Sequence, residues 1–199
     1  MRQVSIVVAV SLALVTHQFS QEPSDEFATQ LVEAAIERTS HEVTYDGSYR
    51  QIDYPGGDIP DGIGVCTDVV IRAYRSVGVD LQQAVHEDMS AAFSAYPTIW
   101  GLKRPDSNID HRRVLNLQVF FLRNGIKLPV SDNPDDYRAG EIVTWMLPGN
   151  LPHVGIVTDQ RSSDGIRPMV VHNIGSGPKL EDRLFEFPIT GHYKYDGSK

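Results

Sequence analysis

Cys66 is the only cysteine in a chain of 199 residues. It follows a glycine-rich approach, Asp61-Gly-Ile-Gly-Val65, and apolar residues then recur at Val69, Val70, Ala73, Tyr74 and Val77. Three- and four-residue spacing of that kind marks an amphipathic helix, which Gly78 would end. A thiol on the first helical turn faces unpaired backbone N–H groups and the positive end of the helix dipole. Both favour thiolate, the form that attacks carbonyl carbon. Two histidines extend the pattern: His153 opens the run Val154-Gly-Ile-Val157, and His172 follows Met169-Val-Val171. Strand alternation places His153, Gly155 and Val157 on one face, and Val170, His172 and Ile174 on one face of the next strand. With the hairpin turning near Ser162 to Asp164, the histidines become direct or diagonal cross-strand neighbours, about 5–8 Å apart on a shared face. Gly155 would let another element come close, and the Cys66 helix is the expected one.

Those residue types in that arrangement imply nucleophilic catalysis. Cys66 attacks, His153 takes the thiol proton and later gives it to the leaving group, and His172 fixes the tautomer and orientation of His153. The Cys66 backbone N–H would hold the oxyanion. The reaction is acyl transfer through a thioester, most simply amide hydrolysis, and an acyltransferase would use the same three side chains. Two other readings use the same residues. Cys66, His153 and His172 can be three ligands of a zinc ion with one open position, or the thiol is a small buried hydrophobe. No paired-ligand motif such as HxxEH or CxxC occurs, so no metal or cofactor is expected.

The elements that must position these groups fall in two halves. Ser24 to Arg38 reads as a packing helix capped by Ser24, with Phe27, Leu31 and Ala35 on one side. Thr44 to Pro60 is a long irregular segment rich in tyrosine, glycine and proline, expected to wall a cleft beside Cys66. Asp80 caps a second helix through Phe93, in which His86 reads as solvated. Tyr96 to Arg113 is another loop, and Asp110 reads as the cap of a helix from His111 to Asn124 ended by Gly125. Strands are expected at Glu141–Leu147, His153–Thr158 and Pro168–Ile174, with weaker ones at Leu184–Phe187 and His192–Tyr195. Helices first and a strand meander afterwards imply an α+β domain with an antiparallel sheet. Tyr54, Asp110, His111 and Trp145 are candidate substrate-binding residues of the cleft.

The length fits a single domain over residues 21–199. A formal net charge of −8, without a basic run, argues against nucleic acid. Residues 1–20 pair Arg2 with an apolar run from Val4 to Val15, too short for a comfortable membrane span, and read as a secretory signal peptide. The expected location is therefore outside the bacterial cytoplasm, periplasmic or secreted, with no membrane contact once the signal is removed. A single unpaired thiol in an oxidising compartment is either buried or has a job. Nothing in the sequence indicates an oligomeric state.

Cysteine on a helix start, Gly140-Glu-Ile-Val-Thr-Trp145, Pro152-His-Val-Gly-Ile-Val157 and Val170-Val-His-Asn173 together resemble the NlpC-type branch of the papain-like cysteine peptidases. The resemblance implies helices packed on a small antiparallel sheet, with Cys66, His153 and His172 at the catalytic positions and a peptidoglycan stem peptide as substrate. The residues around the thiol, Val65-Cys-Thr-Asp68, depart from the branch's usual Asp-Cys-Ser-Gly. A catalytically silent domain that binds cell-wall fragments or a protein partner is an alternative of the same fold. Across Ile52–Asp58, Gly64–Tyr74, His86–Met89, Asn108–Val114, Leu151–Val157 and Val170–Gly175 the chain is more closely similar to the YijF-like family of exported bacterial proteins, catalogued as a domain of unknown function.

Overall fold

A computed structural model describes residues 23–198, with side chains from Glu26 onward. The expected signal peptide and the Ser24 cap lie outside the described residues and side chains.

Four helices precede the sheet: α1 (Pro23–Glu37), α2 (Cys66–Ser76), α3 (Leu81–Ala92) and α4 (Val114–Asn124). Two short strands, β1 (Thr44–Tyr45) and β2 (Ile63–Gly64), pair in parallel ahead of α2. The main sheet comprises β3 (Ile126–Lys127), β4 (Ile142–Leu147), β5 (Leu151–Arg161), β6 (Pro168–His172), β7 (Lys179–Glu181) and β8 (Ile189–Lys194), in the order β3-β8-β4-β5-β6-β7. Every pairing in it is antiparallel. The fold is α+β, with helices on one face of the sheet.

α2 is the central element. Every residue from Cys66 to Tyr74 is buried, which a helix achieves only when packed on nearly all sides. Val69, Val70, Ile71, Ala73 and Tyr74 join α1, α3 and α4 in one core with Ile142, Val154, Ile156 and Val171 of the sheet. Each large aliphatic side chain buried there stabilises the fold by roughly 1.5–3 kcal/mol. The buried Arg72 is satisfied by fanning over the approach loop, with Asp58 at 3.0 Å and the carbonyls of Ile59, Pro60, Asp61 and Ile63 within 3.3 Å. It clamps the segment that delivers Cys66. The other sheet face carries a second cluster of Tyr137, Val143, Trp145, Val157, Val170 and Leu184.

α3 starts as expected, Asp80 accepting from the N–H groups of Gln82 and Gln83. α4 does not. It begins at Val114, and Asp110–Arg112 form a separate 3-10 turn, because the Asp110 carboxylate accepts Asp106 N–H at 2.6 Å and so closes the preceding loop. The expected strand at Leu184–Phe187 is absent. Leu184 is buried beneath the sheet's second face, and the pairing falls instead to Lys179–Glu181 against β6.

Candidate active site

The histidine pair and the Cys66 thiol both lie by the point where β5 and β6 part. Their ladder runs Ile156↔Val171, Val157↔Val170 and Arg161↔Pro168, so it stops short of Val154. The N–H of Val154 faces the Cys66 sulfur instead, joined by the N–H groups of Thr67 and of Cys66 itself. Strand N–H groups lie in the plane of the sheet and perpendicular to the strand, so the thiol meets β5 along its uncovered edge. The residue before Val154 is His153.

The start of α2 is held from two sides. The Asp68 carboxylate accepts Val65 N–H at 2.7 Å, the return half of a capping box. Arg112 grips the same carboxylate with Nε and Nη2 at 2.8 and 3.0 Å, in a pair whose side chains are only 2% and 4% exposed. Arg112 also reaches the carbonyls of Asp46 and Ser48, pinning the segment just after β1. Through the register Tyr45↔Gly64, β1 brings the Tyr45 side chain near enough to the thiol for the two groups to feel each other's charge. Burial, then the charges of Cys66 and Asp68, push that phenol up to about 12.

The helix start was expected to favour thiolate. Burial decides otherwise: Cys66 is 4% exposed, and desolvation pushes its thiol up to about 11, outweighing the three N–H groups that pull it down. The resting group is a protonated thiol.

His153 Nε2 and His172 Nδ1 lie 3.0 Å apart, the rings nearly perpendicular with centroids separated by 5.2 Å. Burial lowers His153 to about 3, helped by His172. It also lowers His172 to about 4, against the opposing pull of Glu181. Both imidazoles are therefore neutral with one proton each. Glu181 Oε2, also paired with Arg183, lies 3.1 Å from His172 Nε2, off the axis of a well-aligned bond. A carboxylate there favours the proton on His172 Nε2. That leaves Nδ1 to accept from His153 Nε2–H, and so leaves His153 Nδ1 as the free basic nitrogen.

Gly155 makes this pairing possible, though not by admitting α2. A Cβ on it would meet Val171 O at 2.8 Å, His172 Cβ at 3.1 Å and Trp145 Cζ3 at 3.2 Å. The neighbours that need the space are on the sheet itself. Trp145 covers the imidazoles, its ring centroid 5.7 Å from His153 and 6.4 Å from His172, with Nε1–H donating to Leu184 O. At 2% exposed, it packs behind the site instead of lining a cleft as expected.

The other expected cleft residues are carried by elements outside the sheet. Tyr54 is exposed, its ring edge-on to His86 at 4.8 Å, which makes His86 half-buried and not solvated. Asp110 is buried and paired with Arg113 at 2.9 Å. His111 is buried, and desolvation lowers it to about 3 with help from Arg112 and Arg75. Residues missed in the sequence include Tyr45, Arg112 and Glu181. Tyr45 and Glu181 sit on two- and three-residue strands, too short to leave a period. Among the described residues, no group of three or more His, Cys, Asp and Glu side chains is arranged to hold a metal ion.

Fold and site together define an α+β protein with a buried cysteine at a helix start, facing an uncovered strand edge in an antiparallel sheet that carries a histidine pair. The chain belongs to the family described as domain of unknown function DUF1287, whose model matches residues 32–195. It is similar to the uncharacterized protein YijF of Escherichia coli K12, 52% identical over 165 residues that cover 83% of this chain and 80% of that one. Among solved structures it matches NlpC1 from Trichomonas vaginalis at a TM-score of 0.46 and 13% identity. That match covers 89% of this chain, which spans about half (48%) of the NlpC1 chain.

Proposed function

We propose that the protein is an exported cysteine hydrolase that cleaves an amide bond through a thioester, with a peptidoglycan stem peptide as substrate. The observation that carries this reading is the 3.0 Å contact between His153 and His172, one residue from the Val154 N–H that faces a thiol at a helix N-terminus. As the Cys66 sulfur bonds to the substrate carbonyl carbon, its proton passes to His153 Nδ1 and the carbonyl π pair moves onto oxygen. The Cys66 N–H and the Tyr45 hydroxyl are the donors for that oxyanion. Collapse breaks the C–N bond, and the amine leaves with the proton from His153. Water, giving a proton to His153, then hydrolyses the thioester and restores the thiol. Purified protein should release new amino groups from sacculi, and Cys66→Ala should abolish the release. Wild type and Cys66→Ala behaving alike on amide, ester and thioester substrates would overturn the reading.

A second reading has its own observation. A thiol 4% exposed and raised to about 11 suits a catalytically silent module that binds wall fragments or a protein. Alkylation by iodoacetamide separates the two: acceleration of Cys66 modification by a stem peptide favours the enzyme, and protection from it at no turnover favours the module.

A further inference from the structure

The loop from Gly101 to Asn108, with Tyr49 and His86, lines an open cleft of about 670 Å³ whose walls include none of Cys66, His153 and His172. That volume lies in the range of sites for small molecules and short peptides. Its walls are fixed by their own polar contacts. Asn108 Oδ1 accepts Ile52 N–H at 2.9 Å, Asn108 Nδ2 donates to the Tyr49 hydroxyl at 3.1 Å, and that hydroxyl donates to Asp106 Oδ2 at 3.2 Å. Asp106 Oδ1 takes both the N–H and the Nδ2 of Asn108. The one carboxylate in the wall is thus engaged by donors of the wall itself.

The cations of the cleft are not. Arg50, Arg72, Arg75, Arg112, Arg113, Arg123, Arg167 and Arg183 are all committed to carboxylates. Lys103 and Arg104, adjacent in sequence and both lining the cleft, have no partner among the described residues. His86 lines it too, with Nδ1 shut off from water and without a hydrogen-bond partner. In a chain of formal charge −8, a concave site with two uncommitted cations beside hydroxyl and amide groups selects for negative charge.

We propose that this cleft binds a carboxylate-bearing peptide of about two or three residues, its carboxylate held by Lys103 and Arg104 and its backbone met by the Ser107 hydroxyl. The site does not depend on the hydrolase reading; only the choice of a peptide as ligand rests on it. Asp106 disfavours a dianion in the same wall, which makes a carboxylate the better fit than a phosphate.

Binding of the tripeptide alanyl-glutamyl-glutamate to full-length Cys66→Ala protein, followed by calorimetry and amide shift changes, tests the proposal. The tripeptide should bind, more weakly as salt rises, and shift the amides of the 101–108 loop. Lys103→Ala/Arg104→Ala, changing two exposed side chains, should weaken it by about tenfold or more at unchanged thermal stability. The tripeptide amidated at every carboxyl should bind no better than to the double variant. No binding at millimolar peptide, or equal binding by the double variant, would overturn the proposal. Displacement by inorganic phosphate at lower concentration than by the tripeptide would overturn the carboxylate assignment. Binding by the Cys66→Ala protein without any hydrolysis by wild type keeps this site and removes the enzymatic reading.

Discussion

Replacing Gly155 by alanine tests whether the histidine pair is built by close approach of backbone. The added Cβ would sit 2.8 Å from Val171 O, 3.1 Å from His172 Cβ and 3.2 Å from Trp145 Cζ3. Ordinary contact begins at 3.4 Å, so the carbonyl is about 0.6 Å too near (3.4 − 2.8), and it belongs to a strand hydrogen-bonded on both sides. Neither Val171 O nor the Trp145 ring, buried and tethered to Leu184, can move aside as a surface side chain would. Relief must come from separating β5 and β6 locally, and overpacking of this kind costs about 1–3 kcal/mol. The displaced residue would be His172, so the 3.0 Å contact with His153 should lengthen beyond hydrogen-bonding distance. Urea denaturation measures the first effect, and ¹H–¹⁵N spectra of the ring nitrogens the second, as loss of a single fixed tautomer for His153. Gly62→Ala is the control: a Cβ there meets nothing within 4 Å, and stability should hold or rise slightly. A Gly155→Ala protein as stable as wild type, with unchanged ring-nitrogen shifts, would refute the account of how the two rings meet.

Three other outcomes follow from the same geometry. Iodoacetamide should modify Cys66 in the folded protein at pH 7 about a hundredfold more slowly than in the urea-unfolded chain, because a thiol moved from 9.0 to about 11 loses two decades of thiolate; equal rates would show that burial does not control it. Stability should fall as pH drops below 6.5, since His111 and His153 (each near 3) and His172 (near 4) are held neutral in the fold while the unfolded chain binds protons. His111→Gln should flatten the pH dependence of the urea midpoint by about one proton's worth, and an unchanged slope would contradict the assignment. Arg112→Met should cost about 3–5 kcal/mol by stranding the buried Asp68 carboxylate, and should raise hydrogen exchange at Asp46 to Tyr49, the stretch whose carbonyls Arg112 holds. A melt within error of wild type would sink that inference.

What the sequence made legible and what it hid divide along a physical line. α2, α3 and the strands β4 to β6 were readable because burial on one or both faces leaves a period, and the period also put His153 and His172 on neighbouring strands. Tyr45 and Glu181 act at the site from strands of two and three residues, whose placement depends on partners far along the chain. Gly155 marks a point of close approach in sequence and structure alike, but alternation alone does not say which element arrives.

The thiol's acidity is the sharper case. A helix N-terminus is visible in sequence and contributes typically 0.3–1 kcal/mol. The depth at which that N-terminus is buried is not visible, and each unit of desolvation shift is worth about 1.4 kcal/mol. With Cys66 4% exposed, the second quantity exceeds the first, and the sign of the expected shift reverses. The same reasoning fixes what hydrolysis here would require. Neutral thiol and neutral imidazole gain nothing from each other at rest, so proton transfer must accompany carbon–sulfur bond formation. The Tyr45 hydroxyl, already near the sulfur, would then be placed to donate to the oxyanion.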